Sequence, residues 1–298
     1  MVRSRKTRPW LFLLPVLVIL FVVGIIPLGI VFQNSFYDIF TLQSRSWVGT
    51  QWYSDLLTSS RFYDSLMRSI GFSALVLCVQ FPLGISIALM IPRSGPVRTG
   101  TLVLLALPLV VPWNMIPIIW LSLIDADTGL IGKAITALGW DFDHKFNAVH
   151  TWILIAVMDT WHWVGLVTIL AYSGLSSIPS AYFQAAAVDG ASRLAIFRFI
   201  QLPKLRGVLM MALVLRVMDS MMIYTEAFGI NAGGPNNATA FLALELGEDI
   251  AAFNYGPAAA RSVLYFLIVL SVAWAMTVTS KRQNAGAVRY CAQRNSAV

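Results

Sequence analysis

Long apolar runs separated by short polar stretches set the pattern of this chain. The runs cover about residues 10–36, 65–91, 100–123, 151–172, 207–230 and 256–279. A helix needs roughly 20 mostly apolar residues to cross a bilayer core, so each run is long enough to span. The pattern predicts an all-α membrane protein of six transmembrane helices, filling residues 1–298 as a single transmembrane domain. Prolines punctuate it. Pro15 and Pro27 predict kinks in the first run, and Pro108, Pro112 and Pro117 interrupt the third. Such breaks need neighbouring helices or water to satisfy the freed carbonyls.

Composition supports this reading. The chain has 298 residues, of which 58% are hydrophobic and 12% charged, against about half and a quarter in soluble domains. The apolar run from Pro9 to Tyr37 exceeds the roughly 7–15 residues of a secretory signal core and lacks a small-residue cleavage site, so it is read as an uncleaved first span. The segment from Asp38 to Asp64 is polar, carries the interfacial aromatics Trp47, Trp52 and Tyr53, and is too short to hold an inserted domain. Cys78 lies inside a span and Cys291 near the end of the chain; neither suggests a disulfide or a metal site.

The net charge of +7 gains meaning from its distribution. Arg3, Arg5, Lys6, Arg8, Arg93, Arg98, Arg193, Arg198, Lys204, Arg206, Lys281, Arg282, Arg289 and Arg294 fall on one side of the six-span layout. The opposite side holds only Arg45, Arg61, Lys133 and Lys145, and it carries Asp125, Asp127, Asp141 and Asp143 in one loop. The positive-inside rule makes the first side cytoplasmic. Both termini, including Val2 and Val298, are then inside, and the loop from Asn231 to Tyr255 is outside. A basic charge distributed this way calls for membrane lipid and no nucleic acid.

The loop between the fourth and fifth runs, residues 179–206, has its own architecture. Pro179-Ser180 opens a short helix, since proline fits a first turn. Gln184, Ala185, Ala186 and Ala187 give that helix a smooth face, and Asp189-Gly190 ends it because Gly accepts positive φ. Ser192 caps a second helix, which Pro203 is expected to stop. A helix–turn–helix between spans reads as a surface for another protein to grip.

The spacing Gln184-Ala185-Ala186, three residues, Gly190, nine residues, Ile200-Gln201-Leu202-Pro203 resembles the EAA loop of ABC importer permeases, with Gln184 in place of Glu. Asn231-Ala232-Gly233-Gly234-Pro235 resembles the Gly-Gly-Pro loop of carbohydrate-uptake permeases of the maltose-transporter type. Glu245-Leu246-Gly247-Glu248-Asp249 and the stretch from Asn254 to Ala260 are similar to glycerol or polyol permeases. The resemblance implies the type I ABC importer fold in a bacterial cytoplasmic (inner) membrane. It implies transport of a sugar or polyol. It also implies three kinds of partner: a second permease, two copies of a cytoplasmic ATP-binding subunit, and an extracytoplasmic solute-binding protein. Gln184, Ala185, Ala186, Asp189, Gly190, Ile200, Leu202 and Pro203 would then engage the ATPase.

Catalytic signatures are missing. Gly132-Lys133 is followed by Ala134, and Asp127 stands where a phosphate loop needs its first Gly. The three His residues show no zinc spacing, and no nucleophile elbow appears. The chain is read as a transport subunit, not an enzyme, with no cofactor.

Polar residues inside the spans are the remaining candidates, because charge in hydrocarbon costs about 2.5–3.5 kcal/mol on insertion scales and marks a bundle interior or a water-filled path. Asp159 and His162 are i,i+3 neighbours, as are Arg216 and Asp219; each pair is either a structural tie or part of a solute path. Counted from Gly207, Arg216 and Asp219 lie roughly 13–18 Å along their helix, near mid-membrane. Tyr224 and Glu226 follow them, Asn114 sits beside the proline break, and Trp161 or Trp163 offers a ring on which a sugar can stack. The alternative to an importer subunit is a self-contained secondary carrier or channel, which leaves the 179–206 loop unexplained. A membrane-anchored assembly protein leaves the intramembrane charges unexplained.

Overall fold

The computed structural model describes the backbone of residues 10–41 and 44–295, and the side chains of residues 13–39 and 44–279. Met1–Pro9, Leu42, Gln43 and the last residues of the chain, including Val2 and Val298, lie outside it. The elements run α1 (Trp10–Leu20), α2 (Ile26–Asn34), β1 (Tyr37–Thr41), β2 (Ser44–Trp47), α3 (Gln51–Thr58), α4 (Ser60–Met90), α5 (Pro96–Val110), α6 (Met115–Ile124), α7 (Leu130–Ala137), α8 (Ala148–Ser176), α9 (Ser180–Val188), α10 (Arg193–Ile196), α11 (Leu202–Ser220), α12 (Thr225–Asn231), α13 (Leu242–Ala251) and α14 (Tyr255–Asn295). Five helical stretches are long and apolar enough to cross a membrane, and α5 with α6 makes a sixth, bent by 108° at its break.

The backbone divides into two compact units. One comprises residues 1–62 and 246–268. Its first span, Leu13–Asn34, exposes apolar side chains all along its length, a surface suited to lipid or to another apolar helix. The chain then turns through an antiparallel hairpin, β1–β2, with Tyr37 opposite Trp47. This small sheet is the departure from an all-helical expectation. Here the interfacial aromatics knit the polar segment: Trp52 Nε1 donates to the Tyr37 carbonyl at 3.1 Å, and Ser35 and Tyr53 share a hydrogen bond of 2.6 Å. A side chain at Gly256 would collide with that carbonyl and with Trp52, so the start of α14 packs backbone to backbone there.

The second unit comprises residues 63–245 and 269–298. Its core lies where α4, α8, α12 and α13 meet, with Phe72, Val76, Ile155, Ile223, Ala227, Phe241 and Leu244 buried together. Close helix approach depends on missing side chains. A Cβ on Gly165 would lie 1.9 Å from the Leu105 carbonyl oxygen, and one on Gly84 would strike Val167. Glycine therefore lets α5 and α4 sit directly on α8.

Proline acts differently from the expectation at two places. Pro27 and Pro203 each follow a π-helical turn, Phe21–Ile25 and Phe197–Gln201. The ring of a proline clashes with the carbonyl four residues back and cannot bond to it, and the wider π turn moves that carbonyl aside. Pro203 thus does not stop the second loop helix. The chain runs on as helix from Arg193 through the π turn into α11. The real break in this span is further on, at Met221–Tyr224, before α12 begins. Likewise, the irregular turn in the first span lies at Phe21–Ile25, while Pro15 sits inside regular α1.

Candidate functional site

Two groups of residues stand out, one in the loop between the fourth and fifth spans and one buried among α4, α8 and α11.

In the loop, α9 ends at Asp189, and Gly190 takes φ +64. That left-handed conformation costs an L side chain roughly 1–2 kcal/mol, although no atom stands within 4 Å of a Cβ placed there. Glycine is required by the turn and not by crowding. Ser192 Oγ accepts from the Ala195 amide at 3.2 Å, capping α10 as the sequence suggested. Ala186 is the buried residue of α9, whereas Gln184, Ala185, Asp189 and Gly190 are exposed. Val188 and Leu194, at 88% and 73% exposed, flank the turn and give it an apolar tip. Ile200 is half-buried, while Leu202 and Pro203 are exposed where the π turn joins α11. An exposed apolar tip on a braced turn is a shape that fits a protein groove.

The buried group centres on Arg216 of α11. Its Nη2 donates to Asp159 Oδ2 of α8 at 2.7 Å, its Nε donates to Gln80 Oε1 of α4 at 2.9 Å, and its Nη1 donates to Asp219. Gln80 Nε2 in turn donates to Asp159 Oδ2 at 2.6 Å. The guanidinium also lies over the Trp163 ring, 4.7 Å from its centre. One cation therefore fastens three helices, and its polar hydrogens find acceptors on each. Next to it, Ser220 Oγ donates to Ser73 Oγ at 3.0 Å. Glu226 is buried within electrostatic reach of Arg216, Asp219 and Asp159.

This geometry corrects one expectation. Asp159 and His162 do not neutralise each other as an i,i+3 pair. Asp159 turns to Arg216 and Gln80, while the His162 ring stands edge-on to Trp113 and Trp163. In the third span the Pro108 carbonyl is taken by the Val111 amide at 3.2 Å, and the buried Nδ1 of His162 has no hydrogen-bond partner among the described residues. Arg216 and Asp219 do pair.

Of the remaining candidates, Trp163 joins the cluster, with Trp113 edge-on to both Trp163 and His162 at 6.1 and 6.2 Å. Trp161 packs edge-on against Trp120 and lines an apolar cavity of about 790 Å³ between α4 and α8 instead. Asn114 is exposed at the start of α6 and caps nothing with its side chain. Tyr224 stands at the break between α11 and α12, 36% exposed, stacked on Phe228 at 5.5 Å. Asp219 is partly accessible, while Arg216 is fully enclosed. Gln80 and Trp113 were not foreseen. Gln80 carries a signal in the sequence, as an uncharged polar residue inside an apolar run.

Comparison with known proteins follows the same lines. The family described as binding-protein-dependent transport system inner membrane component matches residues 80–284. The trehalose/maltose transport system permease protein MalF of Thermococcus litoralis is 28% identical over 264 residues, covering 88% of this chain and 90% of the relative. The sn-glycerol-3-phosphate transport system permease protein UgpA of Yersinia pseudotuberculosis is 28% identical over 273 residues, covering 89% and 91%. The diacetylchitobiose uptake system permease protein DasB of Streptomyces coelicolor is 28% identical over 284 residues, covering 91% and 85%. Among solved structures, a chain of a bacterial ABC transporter that imports the acidic polysaccharide alginate superposes with a TM-score of 0.78 at 20% identity, covering 92% of this chain and 94% of that one.

Proposed function

The chain belongs to the family of binding-protein-dependent transport system inner membrane components, and from that premise we propose that it is one of two permease subunits of an ATP-driven importer for a sugar or polyol. The observation that carries the reading is the loop of residues 179–206: a positive-φ Gly190 turn with an exposed apolar tip, joined without interruption to a membrane span. A self-contained carrier has no use for that tip.

In this reading the loop faces the cytoplasm, both termini are cytoplasmic, and the loop from Asn231 to Tyr255 faces outward, as the cation asymmetry implies. Two copies of an ATP-binding subunit hydrolyse ATP, one gripping this loop and the other the matching loop of the second permease. Closure of the ATPases displaces α9, and the spans that flank the loop change their opening from one side of the membrane to the other. An extracytoplasmic binding protein delivers the solute. The names of the relatives, which include trehalose/maltose, diacetylchitobiose and glycerol-3-phosphate permeases, support a polyhydroxylated solute.

The same reading divides the buried cluster. Arg216, Asp159 and Gln80 are tied to one another and hold α4, α8 and α11 together. Asp219 and Tyr224 form the accessible edge beside the break in the fifth span, and they offer acceptors and a donor to a hydroxylated solute in the translocation path. Trp163 is already occupied by Arg216, so Tyr224 with Phe228 is the better stacking surface.

The test is purification of the tagged chain in mild detergent, followed by reconstitution with whatever co-purifies. The reading predicts a stoichiometric ATPase and uptake of a sugar or polyol that requires ATP and a binding protein. Uptake by the chain alone would overturn it.

A further inference from the structure

Two cations lying over aromatic rings tie the short helix α9 to the rest of its unit. The guanidinium of Arg93, in the turn between α4 and α5, lies 4.6 Å from the centre of the Phe183 ring. The ammonium of Lys204, in the first turn of α11, lies 4.9 Å from the centre of the Tyr182 ring and 3.5 Å from its hydroxyl. Beneath α9, whose Ala186 is buried, a cavity of about 80 Å³ is lined by Phe183, Ile91, Tyr172 and Gln201. The turn that carries Arg93 is itself held firmly. Tyr172 Oη, near the end of α8, donates to the Pro92 carbonyl at 2.9 Å, and Arg98 lies over the Tyr172 ring.

We propose that Arg93 and Lys204 are positioning residues for energy coupling, clamping α9 through the adjacent rings of Phe183 and Tyr182. This deepens the importer reading and rests on it. Successive residues on a helix point about 100° apart, so neighbouring rings on α9 face different parts of the unit. One reaches the turn between the second and third spans; the other reaches the base of the fifth. A displacement of α9 is thereby delivered to both places at once. Attraction between a cation and a ring face is tolerant of sliding, unlike a buried knob in a hole, and the cavity leaves room for it. The clamp transmits movement while the rings shift under the cations.

The experiment uses the whole complex, purified through a tag on this chain and placed in lipid nanodiscs. Cys78 and Cys291 are replaced by Ala, and nitroxides are attached at Ser94→Cys and Ala187→Cys, both exposed. The 94–187 distance is measured by electron spin resonance without nucleotide and with ATP and vanadate, alongside the rate of ATP hydrolysis. The clamp predicts one narrow distance in both states. Arg93→Gln and Phe183→Leu should each broaden that distance with ATP bound and change hydrolysis by about two- to fivefold, the size of a single exposed cation–π contact. Arg93→Lys, which keeps a cation over the ring, should restore both. The double variant Arg93→Gln with Phe183→Leu should be no worse than either single change. Lys204→Gln and Tyr182→Leu repeat the test on the other arm, and if Arg93→Gln blocks assembly, Phe183→Leu carries the first arm alone. A normal complex in which Arg93→Gln and Lys204→Gln alter neither distance nor hydrolysis would overturn the clamp and leave the importer reading intact. A wild-type chain that brings no ATPase would overturn both.

Discussion

Arg216 and Asp159 stand on different spans, and Arg216 Nη2 donates to Asp159 Oδ2 at 2.7 Å with both side chains shut away from the surface. Removing one partner of such a pair leaves an uncompensated buried charge, at a cost of about 3–5 kcal/mol. Asp159→Ala or Arg216→Met should therefore lower the thermal unfolding temperature of the detergent-solubilised chain and reduce its yield in the membrane. The triple variant Asp159→Leu, Arg216→Met and Asp219→Asn should recover much of the loss, because it removes the cation together with both carboxylates that pair with it and leaves no charge behind. Equal stability of Arg216→Met and wild type would contradict the tie.

Asp219 and Tyr224 are expected to behave differently. Each keeps some exposure beside the break in the fifth span. Asp219→Asn and Tyr224→Phe should leave assembly and basal ATP hydrolysis near wild type while cutting uptake about tenfold, the equivalent of about 1.4 kcal/mol in the transport barrier. Uptake assays on an assembled complex separate this from a folding defect. Normal uptake by the double variant Asp219→Asn, Tyr224→Phe would remove these residues from the path.

At Gly190 the backbone, and not the packing, sets the requirement. Gly190→Val should cost about 1–2 kcal/mol at the turn through its positive φ. Membrane insertion should survive, whereas binding of the ATPase or solute-stimulated hydrolysis should fall. Transport at the normal rate would show that the turn does not take part in coupling.

The proposed sidedness, drawn from the cations, can be read by labelling. In a chain with Cys78 and Cys291 replaced, Asn236→Cys should react with an impermeant thiol reagent from outside, and Val188→Cys only after the membrane is opened. The reverse pattern would invert the assignment of both loops.

The spans and the loop turn were legible because they depend on local composition. Twenty apolar residues have few other fates, and Asp189-Gly190 between two short helical patterns has to turn. The partners of buried charges were not legible. Asp159 and His162 are neighbours by spacing, yet the stronger attraction comes from Arg216, whose long side chain crosses from another helix. Gln80 escaped notice because an amide costs less to bury than a charge, although it bonds to both Asp159 and Arg216. Pro203 was read as a stop because the rule for proline is local, while the π turn before it lets the helix continue. The break at Met221–Tyr224 carries no proline or glycine, which is why a single uninterrupted fifth span was expected.

The account turns on the loop of residues 179–206 meeting an ATPase. Val188, 88% exposed beside the Gly190 turn, is the place to look. In the native complex, a photoreactive cross-linker on Val188→Cys should join this chain to a single polypeptide, identified by mass spectrometry as a subunit carrying a phosphate-binding loop, and ATP with vanadate should change the yield. Cross-links to lipid alone, or to a protein without a nucleotide site, would contradict the account.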